Sequence, residues 1–270
     1  MTDLDLAIEN IGARIRTILQ SPSISSVPDD SDGPLTNLSH LYRMRGIAKF
    51  LRDADVPNYV LDLQRSVQTR SAYLAGCARG ASCSPKFFRT TRNRAFFDAL
   101  AVNNLTGAAE LAEGCDGIWV EKLEYEDDFL LVDYLQKAFL VRHQKRPASA
   151  TSSVLARYEQ VLPDSEGSPF YRLCRALEDN APSDLESALE AVTLHRASNY
   201  AQLAALGDLP QVMLHTERFL DVQGIGILRM ATDAGLNVER TEYPRIPAEL
   251  VAVAHEQRGP LPPNSWNRIS

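Results

Sequence analysis

The chain has 270 residues, of which 44% are hydrophobic and 23% charged, with a formal net charge of −7. That balance supports a real core and excludes extended disorder. The acidic, broken start (Asp3, Leu4, Asp5, Glu9) is not a secretory signal, and no apolar run approaches a membrane span, so the expected location is the cytoplasm.

Helical periodicity dominates from the first residues. Ile8, Ile11, Ile15 and Ile18 fall on one helical face, and Ser21-Pro22 ends that helix. A loop rich in Ser, Pro, Asp and Gly runs from Pro22 to about Pro34. Leu41, Met44, Ile47, Ala48 and Leu51 restart the period, and Pro57 is expected to close it. Residues 59–79 read as a helix, and Gly80 to Pro85 as a turn. Residues 87–102 read as one helix carrying Phe87, Phe88, Phe96, Phe97 and Leu100. After Asn103-Asn104, a small-faced helix with Ala108, Ala109, Leu111 and Ala112 ends at Gly114, making a tight helical hairpin.

The spacing of Leu131, Tyr134, Leu135, Ala138 and Phe139 predicts a helix over 127–141. His143 to Pro147 reads as a basic loop, residues 150–162 as a helix, residues 163–167 as a turn, and Tyr171 to Glu178 as a short helix. Ser183 and Glu186 fit a capping box ahead of Leu185, Ala188, Leu189 and Val192. A last long helix is expected over 214–234. Gly224 and Gly226 would allow a neighbouring helix close to it, and Gly235-Leu236 suits a left-handed cap. The expected fold class is all-α: helical hairpins packed as an irregular arrangement like tetratricopeptide or HEAT repeats, without a strict repeat period. Residues 1–84 form an N-terminal helical region, 85–255 a second region continuous with it, and 256–270 a C-terminal tail.

Motifs that carry chemistry are missing. There is no Gly-rich phosphate loop, no Gly-x-Ser-x-Gly elbow and no His-Glu-x-x-His motif. His40, His143, His195, His215 and His255 are scattered. The four cysteines, Cys77, Cys83, Cys115 and Cys174, are too sparse for a secreted disulfide framework and lack zinc spacing, so they read as small core residues or inert thiols. No catalytic residue, metal site or cofactor is expected, and a binding role is favoured over an enzyme whose site is assembled across helices.

Charge is unevenly placed. Residues 110–135 hold nine acids and one base, a sum of −8, and residues 41–94 hold eleven bases and three acids, a sum of +8. Glu126, Asp127 and Asp128 are read as the first turn of a helix, opposing its dipole, but Glu121 and Glu124 precede that helix. As a cluster, Glu121, Glu124, Glu126, Asp127, Asp128 and Asp133 are candidates for docking a basic partner. The basic segment, with Arg89, Arg92 and Arg94 near Phe96 and Phe97, reads as a solvated face or as pairing with the chain's own acids. The acidic pI near 5.3 argues against nucleic acid.

Three stretches together resemble the immunity 49 family of bacterial polymorphic-toxin systems. They are Arg94-Ala95-Phe96-Phe97-Asp98-Ala99-Leu100 with Ala109-Glu110-Leu111-Ala112, then Leu123-Glu124-Tyr125-Glu126-Asp127-Asp128-Phe129, then Gly226-Ile227-Leu228-Arg229-Met230-Ala231 through Gly235-Leu236-Asn237-Val238 to Tyr243-Pro244 and Pro247. The likeness spans roughly residues 85–250 and departs from the family pattern at Asn103-Asn104-Leu105. It implies an immunity protein that binds and neutralises a cognate secreted toxin domain, delivered by a type VI or related system. Such a protein occludes the toxin's active site or holds the toxin inactive. No catalytic residue carries over. Tyr125, Glu126, Asp127 and Asp128 would either cap a helix or touch the toxin. The alternative is a helical-repeat adaptor without a toxin partner. The oligomeric state stays open.

Overall fold

A computed structural model describes residues 2–21, 24, 33–80, 83–115, 117, 119–144, 146–240, 242–256 and 261–268. The described residues form α-helices and short 3₁₀ turns, and their one β feature is an isolated bridge between Tyr243 and Ile246. The all-α expectation holds. No helix among them is long and apolar enough to cross a membrane. Most of the loop expected between Pro22 and Pro34 lies outside the described residues.

The N-terminal part is built from α1 (Asp3–Leu19), α2 (Pro34–Asp53) and α3 (Val56–Ala78). Ile11 and Ile15 of α1 are buried, while Ile8 and Ile18 are only partly so. Between α2 and α3 the sequence misleads, because Pro57 opens α3 instead of closing α2. Ala54 ends α2 in the left-handed conformation, and the Asp55 carboxylate caps α3 by accepting the Asn58 N–H at 3.0 Å. Pro57 then sits in a first turn, where its missing N–H leaves no partner unmatched. The tight link makes α2 and α3 antiparallel. Ser39 lies opposite Ser66, Arg45 opposite Asp62 and Phe50 opposite Tyr59. Gly46 allows the closest approach: a Cβ there would stand 3.2 Å from the Tyr59 carbonyl.

The helix expected over 87–102 is broken into α4 (Pro85–Phe88), a 3₁₀ turn at Thr90–Arg92 and α5 (Arg94–Ala101). Arg89 takes an extended conformation, and the Asn93 side chain is buried, donating from Nδ2 to the Leu111 carbonyl at 2.9 Å. The break puts Arg89, Thr91 and Arg92 on a loop instead of a helix face. The hairpin to α6 (Leu105–Gly114) forms as expected. Asn103 adopts a left-handed φ of 56°, the Asn104 N–H reaches the Ala99 carbonyl, and the Asn104 side chain caps α6.

Next come α7 (Glu126–Gln144), α8 (Ser149–Val161), α9 (Pro169–Glu178) and α10 (Pro182–Leu206). His143 belongs to α7 and not to the basic loop. The capping box at Ser183 is not present. Pro182 already occupies the first turn of α10, so Ser183 lies inside the helix, and the Glu186 carboxylate accepts the N–H groups of Glu239 (2.6 Å) and Arg240 (2.9 Å) instead. A short α11 (Gln211–Leu214), a turn and α12 (Val222–Asp233) replace the single helix expected over 214–234. Asp221 caps α12 by accepting the Gly224 N–H at 3.0 Å, which fixes the helix start.

The close approach of a helix expected at the α12 glycines is found at Gly226, whereas Gly224 faces the Ile246 side chain, outside any helix. A Cβ on Gly226 would lie 3.2 Å from both the Leu100 Cβ and the Phe97 carbonyl of α5. Gly235, with φ of 76°, ends α12 with the paired 6→1 and 5→2 hydrogen bonds of a Schellman cap, and Leu236 is buried against it. The chain closes with α13 (Ala248–His255) and a 3₁₀ turn at Ser265–Asn267. That last segment is docked: Tyr42 Oη donates to the Trp266 carbonyl, and Gln68 Nε2 donates to the carbonyls of Leu261 and Pro262. One core cluster of buried apolar residues runs from Ile11 to Trp266.

The cysteines divide. Cys115 and Cys174 are buried and outside any disulfide, as expected of core residues. Cys77 and Cys83 are not inert: they form a disulfide across the α3–α4 turn, their Cα atoms 5.7 Å apart. Six residues suffice to bring the chain back on itself there because Gly80 takes a left-handed φ of 91°. A cytoplasmic protein ordinarily keeps such a pair reduced.

Candidate functional site

The arginine-rich stretch around the α4–α5 break meets α7, α10 and the turn before α12 in one cleft of about 510 Å³. Its floor is a buried charge network. Glu217, in the turn between α11 and α12, is 3% exposed. Its carboxylate accepts from Arg43 Nε of α2 at 2.7 Å, from Arg94 Nη1 of α5 at 2.9 Å and from Tyr200 Oη of α10 at 3.3 Å. Arg43 Nη1 also donates to Asp98 of α5, whose other oxygen accepts from Ser66 Oγ at 2.7 Å. A buried charge is tolerated only when partnered this fully.

The electrostatics follow from those contacts. Burial opposes charge on Glu217, but Arg94, Arg43 and His40 beside it hold its carboxyl well below the usual range. Burial likewise opposes charge on Arg43, and Asp98 and Glu217 reverse the effect and push its pKa up. Burial drives His40 down to about 4, helped by Arg94 and Arg43 and opposed by Glu217. His40 is therefore neutral at pH 7, beside the charges of Glu217, Arg94 and Arg43.

A second pair completes the floor. Asp221 accepts from Arg196 Nη1 of α10 at 3.1 Å, and its own N–H donates to the Arg245 carbonyl at 2.8 Å. Arg245 has a left-handed φ of 65°, donates from Nη2 to the Glu217 carbonyl and lies over the Tyr200 ring at 5.1 Å. The walls carry Arg89, Thr91 and Arg92 on one side and Asp127 and Asp128 of α7 on another, with Phe170 and His195 packed edge to face at 5.3 Å.

The six sequence candidates separate in space. Asp133 is 4% exposed and bound to Lys137 at 2.7 Å, so it presents no charge to a partner. Glu126 pairs with Arg157 at 2.6 Å. Glu124 accepts from Thr91 N (3.2 Å) and Thr91 Oγ1 (2.7 Å), tying the acidic segment to the 3₁₀ turn. Glu121, Asp127 and Asp128 are exposed, and among the described residues none forms an ion pair. Between them stands Tyr125, 79% exposed. Glu126, Asp127 and Asp128 do occupy the first turn of α7, as their spacing suggested.

Among the described residues no ion pair joins the basic segment to the acidic one. Arg45 and Arg65 pair with Asp62, and Arg43 and Arg94 with Asp98 and Glu217. No group of His, Cys, Asp and Glu among the described residues is arranged to hold a metal. Comparison with protein-family models, with curated proteins and with solved structures found no match to the chain.

Sequence reasoning missed Arg43, Asp98, Arg196, Glu217, Asp221 and Arg245. The available signal was local misfit: Arg43 stands between Tyr42 and Met44 on a core-facing helix, and Asp98 interrupts Ala95-Phe96-Phe97 and Ala99-Leu100. A charge embedded in an apolar run has to find a buried partner.

Proposed function

We propose that the chain is an immunity protein of the kind its sequence resembles, which binds a basic toxin domain and neutralises it. The observation that carries this reading is the surface at residues 121–128. Tyr125 is 79% exposed there, among the carboxylates of Glu121, Asp127 and Asp128, which form no ion pair among the described residues. Solvent-exposed tyrosines flanked by charge are typical anchors of protein interfaces, where an aromatic ring supplies area at small entropic cost. Unpaired carboxylates around it add long-range attraction for a basic cleft and raise the rate of encounter.

The test has two parts. Co-expression with the product of the adjacent gene is expected to restore growth and to give a stable complex. Reversing Glu121, Asp127 and Asp128 to lysine is expected to slow association at least tenfold at low salt, with the difference shrinking as salt rises. Equal association rates for a folded triple variant would sink the assignment of this surface.

A further inference from the structure

The cleft above the Glu217 network adjoins the acidic surface and shares Asp127 and Asp128 with it, but its chemistry points to a different occupant. Six arginines against four carboxylates line it, an excess of two positive charges. Two of the carboxylates, Glu217 and Asp221, are already engaged by Arg43, Arg94 and Arg196. Arg89, Arg92 and Arg245 form no ion pair among the described residues. Among the described residues, buried donors stay uncommitted: Arg89 Nε, and Arg245 Nε and Nη1, have no hydrogen-bond partner.

Guanidinium groups repel one another, and buried donors without acceptors cost free energy. Burial, Arg89, Arg94 and Arg70 all push Arg92 below its ordinary value. An anion in the cleft would relieve both costs. The three unpaired arginines enter from two separate places: Arg89 and Arg92 from the start and end of the 3₁₀ turn, and Arg245 from the turn before α13. One guanidinium saturates a planar carboxylate, whereas a tetrahedral phosphate turns oxygens toward several donors at once. The volume suits a small organic molecule, and the Phe170 and His195 rings give it an aromatic wall.

We propose that this cleft is a binding site for a phosphate-bearing small molecule of nucleotide size, held by Arg89, Arg92 and Arg245. The inference does not rest on toxin binding: its test varies Arg89 and Arg92 and leaves the shared Asp127 and Asp128 in place, so either can fail without the other. It is tested by calorimetric titration of the full chain with ADP, pyrophosphate and citrate at fixed ionic strength. ADP is expected to bind saturably and to raise the unfolding temperature. The double variant Arg89→Gln, Arg92→Gln is expected to bind it at least tenfold more weakly. Both side chains sit on the loop outside the Glu217 pairs, so its unliganded unfolding temperature should be unchanged or higher. Arg157→Gln, at the Glu126 pair away from the cleft arginines, should bind as the parent does. Absence of saturable ADP binding would overturn the proposal, as would affinity unchanged in the folded double variant. Citrate binding as tightly as ADP would overturn the assignment to phosphate.

Discussion

The segment of charge +8 at 41–94 and the segment of charge −8 at 110–135 look like mirror images in the sequence, and they meet opposite fates. Part of the basic segment turns inward. Arg43, Arg45, Arg65 and Arg70 are buried, and the first three hold carboxylates drawn from Asp62, Asp98 and Glu217. The acidic segment keeps Glu121, Asp127 and Asp128 outside, around an exposed tyrosine. Net charge along the chain therefore says little about where charge is usable. Inside, a charge cements helices and is sensitive to loss of its partner. Outside, it leaves the fold almost untouched and remains available to another molecule.

The sharpest way to break this contrast is to remove Glu217. Glu217→Gln leaves Arg43 and Arg94 with an uncharged acceptor in a buried site, and a loss of about 3–5 kcal/mol is expected, as for other broken buried pairs. Urea unfolding of the purified variant measures it. A loss under about 1 kcal/mol would mean that water or rearrangement satisfies the arginines and that the network is not structural.

The same interior should make the protein acid-sensitive. His40 has a folded pKa of about 4 against an ordinary 6.5. Between those values the unfolded chain takes up a proton that the folded chain refuses, so stability is intact above pH 6.5 and falls as pH drops. The expected loss between pH 7 and pH 5 is about 2 kcal/mol from this residue. Glu217, held below its ordinary value, adds its own loss below about pH 4.5. Denaturant unfolding across pH 7.5 to 5 should show the slope, and His40→Gln should flatten it in that range.

How much of this was legible depends on the distance over which the partners act. The helical periods of α1, α7 and α9, the Asn103-Asn104 hairpin and the Gly235 cap were readable because their causes lie within a few residues. The breaks were harder. Nothing local in 214–234 says that the chain must leave the helix at residue 215 to carry Glu217 to Arg43, 174 residues away in sequence. Glu186 looked like half of a capping box because its real partners, the backbone of Glu239 and Arg240, are more than 50 residues on. The α13 pattern of Leu250, Val253 and Ala254 was present but short, and short helices are stabilised by what they pack against. The acidic cluster was visible as composition. Its division into Asp133 inside, Glu124 and Glu126 paired, and Glu121, Asp127 and Asp128 outside was not.

A smaller effect belongs to the α5–α12 contact, which positions Asp98 and Arg94 relative to the turn carrying Glu217. In Gly226→Ala the new methyl meets the Phe97 carbonyl and Leu100 Cβ at 3.2 Å, and the backbone oxygen cannot rotate away. Ala also gains helix propensity, so the two terms oppose. Crowding at a backbone contact is expected to win, with a net loss of about 1 kcal/mol. A stabilised variant would show that the helices separate freely and that the close approach does not hold the network in register.

The smallest effect is expected at the surface, and its smallness is informative. Tyr125→Ala removes a ring that is 79% exposed, so little transfer free energy is at stake and the unfolding free energy should change by less than about 0.5 kcal/mol. Asp127→Lys differs, because Asp127 sits in the first turn of α7, where a carboxylate opposes the helix dipole. Its reversal is expected to cost about 0.3–1 kcal/mol. If Tyr125 and Asp127 matter for a partner, the ratio is reversed in binding: the tyrosine should weaken the complex through faster dissociation, and the aspartate should slow association in a salt-dependent way. A Tyr125→Ala protein that loses more than about 1 kcal/mol of stability would place the ring in the fold and remove it from the docking surface.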